Sequence, residues 1–308
     1  GEGFGIKGLG GIGILRTSLS PHLLRRRRSE VLGQLPKRTD SPLSIPITEE
    51  QKIAHDEISR KVARLAGIAE KRSLTQEEHL QLMCLLNTMR MISNGMAHFD
   101  FEEIWPALEK EKKPEKKIPS LFSPKLTEFR NLIEGLLCQN VKIVIFSQWQ
   151  RMLKLAHWSV ADLLNDSGFE AVFFTGRESA RRRTENIVRF HDEAHVRCFF
   201  ATDAGGVGLN LQQAASVCIN LEMPWNPAVL EQRNSRIYRL GQKQPVQIFN
   251  LITRETIEER IQHLVARKQA VFSALFDGTS DEVRYEDGSG FYKQIQTAMS
   301  EFKNEAID

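Results

Sequence analysis

The sequence has 308 residues, 41% of them hydrophobic, which is enough for one large or two ordinary domains with a packed core. The 42 basic residues nearly balance the 39 acidic ones. Nucleic-acid affinity would therefore have to come from local basic patches and not from the net charge of +3. The four cysteines have no CxxC spacing, so no metal site is predicted. No apolar run reaches the roughly eighteen residues of a membrane span and no signal peptide is recognisable, so we expect an intracellular protein outside the membrane.

Two amphipathic segments begin after residue 47. The stretches "EEQKIAHDEISRKVARLAGIAEKR" and "TQEEHLQLMCLLNTMRMI" repeat apolar residues at helical spacing, and Thr48 and Thr75 are in position to cap acidic first turns. They predict a helical hairpin. The lysine-rich "EKEKKPEKKIPS" that follows has charges and prolines without apolar periodicity, as in a solvated linker. We therefore predict a helical protrusion and a charged linker over residues 47–118.

The chain from residue 119 onward alternates short apolar runs with amphipathic segments. The runs are "VKIVIFS", "FEAVFFTG", "VRCFFATD", "ASVCINLE" and "VQIFNLIT". Apolar strands joined by helices predict an α/β fold with a doubly wound, mostly parallel sheet. Ligands bind at the carboxyl ends of the strands in such sheets, so the loops after Phe146, Thr175, Thr202 and Glu222 are the predicted functional positions.

The tetrad Asp192-Glu193-Ala194-His195 spells DEAH, which in helicases holds Mg²⁺ and positions water for ATP hydrolysis. Such acids need an apolar strand immediately before them. Here the preceding "RRRTENIVRFH" is a helical pattern, and the strand follows the tetrad. The sequence therefore predicts a chance match in a polar turn at the opposite edge of the sheet.

No GxxxxGK[ST] occurs in the sequence, so there is no P-loop to cradle the β- and γ-phosphates of ATP. The stretch "GLGGIG", Gly8 to Gly13, fits GxGxxG by its letters. It follows no predicted strand and lacks an acidic partner at the required distance, so a flexible N-terminal segment is the better interpretation.

The stretch from residue 201 to 246 resembles the second RecA-like lobe of the Swi/Snf family of superfamily 2 helicase-like ATPases. Its "TDAGGVGLNL" is similar to motif V, "PWNP" to the signature that follows, and "QRNSRIYRLGQ" to motif VI. Upstream, "VKIVIFSQWQRML" resembles motif IV. Further out, "LLRRRRSEVLGQLPKR" resembles the end of the first lobe, and "TIEERI" the helix after motif VI.

This resemblance implies a RecA-like helicase lobe over residues 119–265, preceded by the end of the first lobe and a linker at 1–46. A C-terminal brace helix and tail would occupy 266–308. The first lobe, which holds ATP and Mg²⁺ in this family, is not in the sequence. We therefore expect a fragment or one half of a split machine that pairs with that first lobe.

The resemblance also identifies Arg236 and Arg239 as arginine fingers. A guanidinium inserted from a partner lobe stabilises the charge of the γ-phosphoryl transition state. The two arginines are three residues apart and would share one face of a helix. Gln232 and Gln242 would orient this helix and the nucleotide. The alternative is a solvated basic helix without a role in catalysis.

Glycines in motif V let the backbone approach a phosphate closely and expose amides at a helix start. Gly206 and Gly208 are the predicted nucleotide contacts on this basis. The alternative is a tight turn that needs glycine for its geometry alone. Predicted contacts with the DNA backbone come from the strand ends and motif V, and they are Ser147, Gln148, Gly176, Thr202 and Asn210.

The resemblance therefore implies the second motor lobe of an ATP-dependent translocase on double-stranded DNA, and contacts with phosphates would give it little sequence specificity. Its location would be the bacterial cytoplasm and nucleoid or the eukaryotic nucleus. The alternative is a non-catalytic module that docks on a protein such as RNA polymerase. The two differ in whether Arg236 and Arg239 matter for ATP turnover. An RNA-directed helicase is disfavoured because "AGGVGLNL" and "PWNP" resemble the translocase group.

Overall fold

The computed structural model describes residues 35–203 and 209–263. Of these, Asp56–Asn87 and His263 belong to one compact unit, and residues 35–55 together with Thr88–Gln262 belong to another. This division differs from the four predicted segments, whose limits stay predictions. In the part of the chain that the structure describes, no helix is both long and apolar enough to cross a membrane.

The described chain contains strands, α-helices and one short 3-10 segment. The strands are β1 (Arg38–Ile45), β2 (Ile143–Ser147), β3 (Glu170–Phe174), β4 (Val196–Thr202), β5 (Val217–Asn220) and β6 (Val246–Thr253). The helices are α1 (Glu49–Lys71), α2 (Gln76–Asn94), α3 (Met96–Phe99), α4 (Phe101–Leu108), α5 (Pro114–Lys117), α6 (Pro124–Leu137), α7 (Gln150–Asp166), α8 (Ala180–Asp192) and α9 (Pro227–Asn234). Ile118–Leu121 form a 3-10 turn, and residues 257–263 are helical.

The two predicted N-caps are confirmed by reciprocal hydrogen bonds. Thr48 Oγ1 accepts from the Gln51 amide at 3.2 Å, and Gln51 Oε1 accepts from the Thr48 amide at 3.2 Å. Thr75 and Glu78 repeat this arrangement at the start of α2, at 3.2 and 2.8 Å. Each pair satisfies amides that the first helical turn leaves unpaired, which fixes where α1 and α2 begin.

Six parallel strands form one sheet in the order β1-β6-β5-β2-β4-β3. The five predicted strands and the doubly wound α/β fold are confirmed. Strand β1 was not predicted, and it pairs with β6 from Arg38 opposite Val246 to Ile45 opposite Thr253. Its sequence "RTDSPLSI" is polar and contains Pro42, which a strand with only one neighbour tolerates.

Apolar side chains of the central strands are buried on both faces of the sheet. In β2, Ile143 and Ile145 belong to one core cluster, and Val144 and Phe146 belong to the other. This alternation follows the two-residue period of a strand. Two-sided burial explains why these strands read as continuous apolar runs in the sequence.

The charged segment after α4 is anchored, contrary to the predicted solvated linker. Its lysines are exposed, but Pro114 and Ile118 are buried one helical turn apart. The indole Nε1 of Trp158 also donates to the Glu111 carbonyl at 3.2 Å. Two apolar residues among many lysines give too weak a periodic signal for the sequence to indicate this packing.

The DEAH tetrad lies where the sequence predicted, between the end of α8 and the start of β4. Glu193 Oε2 accepts from Arg189 Nε at 3.0 Å and lies 3.4 Å from His195 Nε2. The Glu193 carbonyl accepts from Lys142 Nζ at 3.0 Å. These acids precede β4, so they occupy the edge of the sheet opposite to the ligand-binding loops.

Candidate functional site

Two predicted DNA contacts are neighbours at the carboxyl ends of the strands. Ser147 ends β2 and is paired in register with Thr202, which ends β4. Both side chains are buried, and Ser147 Oγ accepts from the Trp149 amide at 3.0 Å. The sheet therefore brings two segments 55 residues apart in the sequence to one polar edge.

A buried carboxylate, Glu222, lies just beyond β5 at the same edge. Its Oε1 atom accepts from the Gln148 amide at 2.6 Å and from Arg233 Nη2 at 3.1 Å. Arg233 also donates to both carboxylate oxygens of Asp203, at 2.5 and 2.8 Å. Burial would lower the pKa of the Arg233 guanidinium, but the hydrogen bonds and charges of these two acids raise it above its ordinary value. Arg233 is therefore a fixed cation beneath the site.

Sequence reasoning did not identify Arg233, Asp203 or Glu222 as a cluster. The available signal was that Asp203 and Glu222 each follow an apolar strand directly, at the edge where ligands bind. An arginine within reach of both acids could be assigned only from the structure.

Three consecutive backbone carbonyls after β5 each accept a hydrogen bond from a different buried cation. The pairs are Leu221 with Lys125 Nζ, Glu222 with Arg233 Nη1 and Met223 with Arg90 Nη2, each at 3.0 Å. The cations come from α6, α9 and α2 respectively. The segment 221–223 is thus tied to three helices through its main chain.

Arg90 also holds the loop after β2. Its Nη1 donates to Gln148 Oε1 at 2.8 Å, and its guanidinium lies 4.7 Å from the ring centre of Trp149 and 5.8 Å from that of Trp225. Burial lowers the pKa of Arg90, and the charge of Glu222 opposes this effect. The predicted DNA contact Gln148 is exposed to solvent, and its side chain is oriented by the buried Arg90.

The two predicted finger arginines lie close together, but not on a helix. Helix α9 ends at Asn234, so Arg236 and Arg239 occupy the turn that follows, and the predicted shared helix face is wrong. Burial and the nearby charge of Arg239 lower the pKa of Arg236. Arg239 is exposed, and its Nη1 donates to Asn210 Oδ1. The structure thus joins a predicted finger to a predicted DNA contact from motif V.

The two predicted glutamines differ in environment. Gln232 is exposed on α9. Gln242 is buried, and its Nε2 donates to the Ala215 and Ile237 carbonyls at 2.9 and 3.1 Å. Its Oε1 accepts from the next two backbone amides, both at 2.9 Å. All four bonding positions of this amide are used, so Gln242 orients the turn after α9 and has no free group for a nucleotide in this conformation.

The predicted glycine contacts are only partly described. Gly206 and Gly208 lie outside the described residues. Gly176 is exposed after β3, and an added Cβ there would lie 3.7 Å from Gln150 Nε2, an ordinary contact. Crowding therefore does not require a glycine at this position, and the contact of Gly176 with DNA stays a prediction. Among residues 35–203 and 209–263, no three acidic, histidine or cysteine side chains are grouped to hold a metal ion.

Comparisons with known proteins match this architecture. Residues 125–241 match the helicase conserved C-terminal domain. An uncharacterised ATP-dependent helicase of Mycoplasma pneumoniae is 30% identical over 268 residues, covering 84% of this chain and 23% of the relative. The human SWI/SNF-related matrix-associated actin-dependent regulator of chromatin subfamily A member 1 is 31% identical over 253 residues, covering 80% of this chain and 22% of the relative.

A solved structure extends the match to the fold. The Sulfolobus solfataricus SWI2/SNF2 ATPase core in complex with dsDNA has a TM-score of 0.59 at 24% identity, covering 87% of this chain and 53% of that structure. The chain spans about a quarter of the length of the curated relatives it matches.

Proposed function

We propose that this chain, which belongs to the Swi/Snf family and matches the helicase C-terminal domain, is the second motor lobe of an ATP-dependent double-stranded DNA translocase. Its partner would be a first RecA-like lobe that bears the P-loop and holds most of ATP and Mg²⁺, as the family resemblance implies. The second lobe would supply arginine fingers and contacts with the DNA backbone.

The position of Arg239 is the observation that carries this proposal. Its guanidinium is exposed and donates to Asn210 Oδ1 of motif V, while the nearby Arg236 is half-buried. A guanidinium has five N–H donors, so one bond to Asn210 leaves donors for phosphoryl oxygens. Transfer of the γ-phosphoryl group depends on such positioned positive charge.

The proposed DNA track uses the strand ends and motif V. Ser147 and Thr202 form its buried floor, and Gln148, Gly176 and Asn210 are exposed. The similar Sulfolobus solfataricus core was solved with double-stranded DNA, which supports duplex DNA as the substrate. Contacts with phosphates carry no sequence information, so the lobe would move along any sequence.

Arg239→Ala in the two-lobed protein tests the finger assignment. An arginine finger contributes a factor of about 10³ to 10⁵ in kcat, so DNA-stimulated hydrolysis should be abolished. Arg239→Lys should restore little, because an ammonium cannot reproduce the planar donor pair. The Kd for DNA without nucleotide should change far less than kcat. This chain alone, without a P-loop, should hydrolyse ATP at background rate.

Arg181→Ala is the matched control, because Arg181 is a highly exposed arginine on α8 that pairs with Glu185 on its own helix. It should retain the parent turnover. Wild-type kcat in Arg239→Ala would remove the finger assignment and favour the non-catalytic docking module. Robust DNA-stimulated turnover by this chain alone would contradict the need for a first lobe.

A further inference from the structure

One oxygen of Glu222 joins two segments to which the proposed function gives different tasks. Oε1 accepts from the Gln148 amide, in the loop of the proposed DNA track, and from Arg233, three residues before Arg236. We propose that Glu222 is a positioning residue that couples DNA binding at this loop to the placement of the finger arginines. This inference rests on the proposed function.

Neutralising Arg233 does not by itself explain Glu222. Asp203 already pairs with Arg233 through two hydrogen bonds of 2.5 and 2.8 Å. A second carboxylate with 0% exposure is costly to bury unless its bonds compensate it. What Glu222 adds to the cluster is the 2.6 Å bond to the Gln148 amide, which connects the DNA-track loop to α9.

The segment that carries Glu222 is held firmly enough to transmit a displacement. Its carbonyl and those of its two neighbours are each bonded to a buried cation. Pro224 and Pro227 restrict the connection to α9, and Asn226 Oδ1 caps that helix by accepting from the Ala228 amide at 3.0 Å. Movement of Glu222 would therefore shift α9, because the connection between them is too restricted to change its conformation instead.

Arg233 passes the displacement to the finger turn. Its side chain is bonded to Glu222, and its carbonyl accepts from the Arg236 amide at 3.1 Å. On the other side, Arg90 holds Gln148 Oε1 at 2.8 Å and lies against Trp149. The DNA-track loop is thus fixed between Arg90 and Glu222, and DNA that moves this loop must alter the Glu222 bond.

The test measures coupling in the full-length two-lobed protein. The Kd for a short DNA duplex is determined with and without a non-hydrolysable ATP analogue, and the ratio of the two is the coupling factor. For coupled sites such factors are typically about 5- to 150-fold. Glu222→Asp keeps the charge beside Arg233 but is one methylene shorter, so it cannot reach both donors. Its coupling factor should fall close to 1, and DNA-stimulated kcat should fall with it.

Glu222→Gln is the second variant, because it keeps the side-chain length and both acceptor bonds at reduced strength. Its coupling factor should lie between those of wild type and Glu222→Asp. Glu193→Gln is the matched control, since it removes a carboxylate that also accepts from an arginine, but at the opposite edge of the sheet. It should keep the wild-type factor.

A purely structural role would raise both Kd values alike and leave their ratio unchanged, and that result would overturn the inference. A wild-type coupling factor in both Glu222 variants would also overturn it. The proposed function fails separately, if wild type shows no DNA-stimulated turnover or if Arg239→Ala retains it. Thermal unfolding of each variant identifies any loss of folded protein.

Discussion

A lysine and a glutamate far apart in the sequence form a fully buried ion pair beneath the site. Lys125 Nζ donates to Glu258 Oε1 and Oε2 at 2.8 and 2.6 Å, and the side chains are 1% and 0% exposed. The same ammonium bonds Asn94 Oδ1 at 2.8 Å and the Leu221 carbonyl at 3.0 Å. Removing it would leave four acceptor atoms in the interior without this donor.

We therefore predict that Lys125→Met destabilises the fold strongly. Breaking a buried pair by removing one partner costs about 3–5 kcal/mol, because the remaining charge is uncompensated. For a chain of this size each kcal/mol lowers Tm by about 2–4 °C, so a loss of roughly 6–20 °C is expected. Thermal unfolding followed by circular dichroism measures it.

The deficit should depend on pH. Burial raises the pKa of Glu258 above its ordinary value near 4.5, and the attraction of Lys125 opposes this rise. In Lys125→Met that opposition is lost, so the folded state binds the proton more tightly than the unfolded state. The deficit should therefore be smallest below pH 4.5 and grow as the pH rises through the raised pKa of the folded state.

Adding Glu258→Gln to Lys125→Met should restore part of the stability, because it removes the uncompensated buried charge. The glutamine also keeps an acceptor for the Thr253 amide, which in the wild type donates a hydrogen bond to Glu258 Oε2 at 3.0 Å. Lys61→Met is the control, since Lys61 forms an exposed i,i+4 pair with Glu57 and should hardly affect Tm. A Tm for Lys125→Met equal to that of wild type, or a double variant less stable than the single one, would refute this account of the pair.

Three further predictions concern the full-length protein. Asp192→Asn with Glu193→Gln should leave DNA-stimulated turnover almost intact, because these acids lie at the wrong edge of the sheet; a loss as large as that of Arg239→Ala would contradict this. DNA binding should weaken steeply with salt, with a slope in log K against log salt of roughly −0.9 per neutralised phosphate. Asn210→Ala should weaken all duplex sequences alike, and a strong preference for one sequence over its scramble would instead indicate base readout.

Features that depend on neighbours in the sequence could be predicted from the sequence. Two-sided burial leaves continuous apolar runs, so β2 to β6 were recognisable, and the threonine caps depend on residues only three positions apart. The same local logic assigned the DEAH tetrad to a turn, because the order of helix and strand around it is a local property. Motifs V and VI were recognisable by resemblance for the same reason, as compact stretches of the sequence.

Features that depend on a distant partner were decided only by the tertiary structure. Strand β1 is polar and becomes a strand because β6 offers an open edge. Helix α9 ends before Arg236, so spacing alone could not orient the finger arginines. The cluster around Glu222 draws its members from five separate segments of the chain, namely Arg90, Gln148, Asp203, Glu222 and Arg233. The sequence could place some of these residues at the ligand-binding edge but could not group them, because the cost of burying a charge and the partner that compensates it exist only once the sheet has formed.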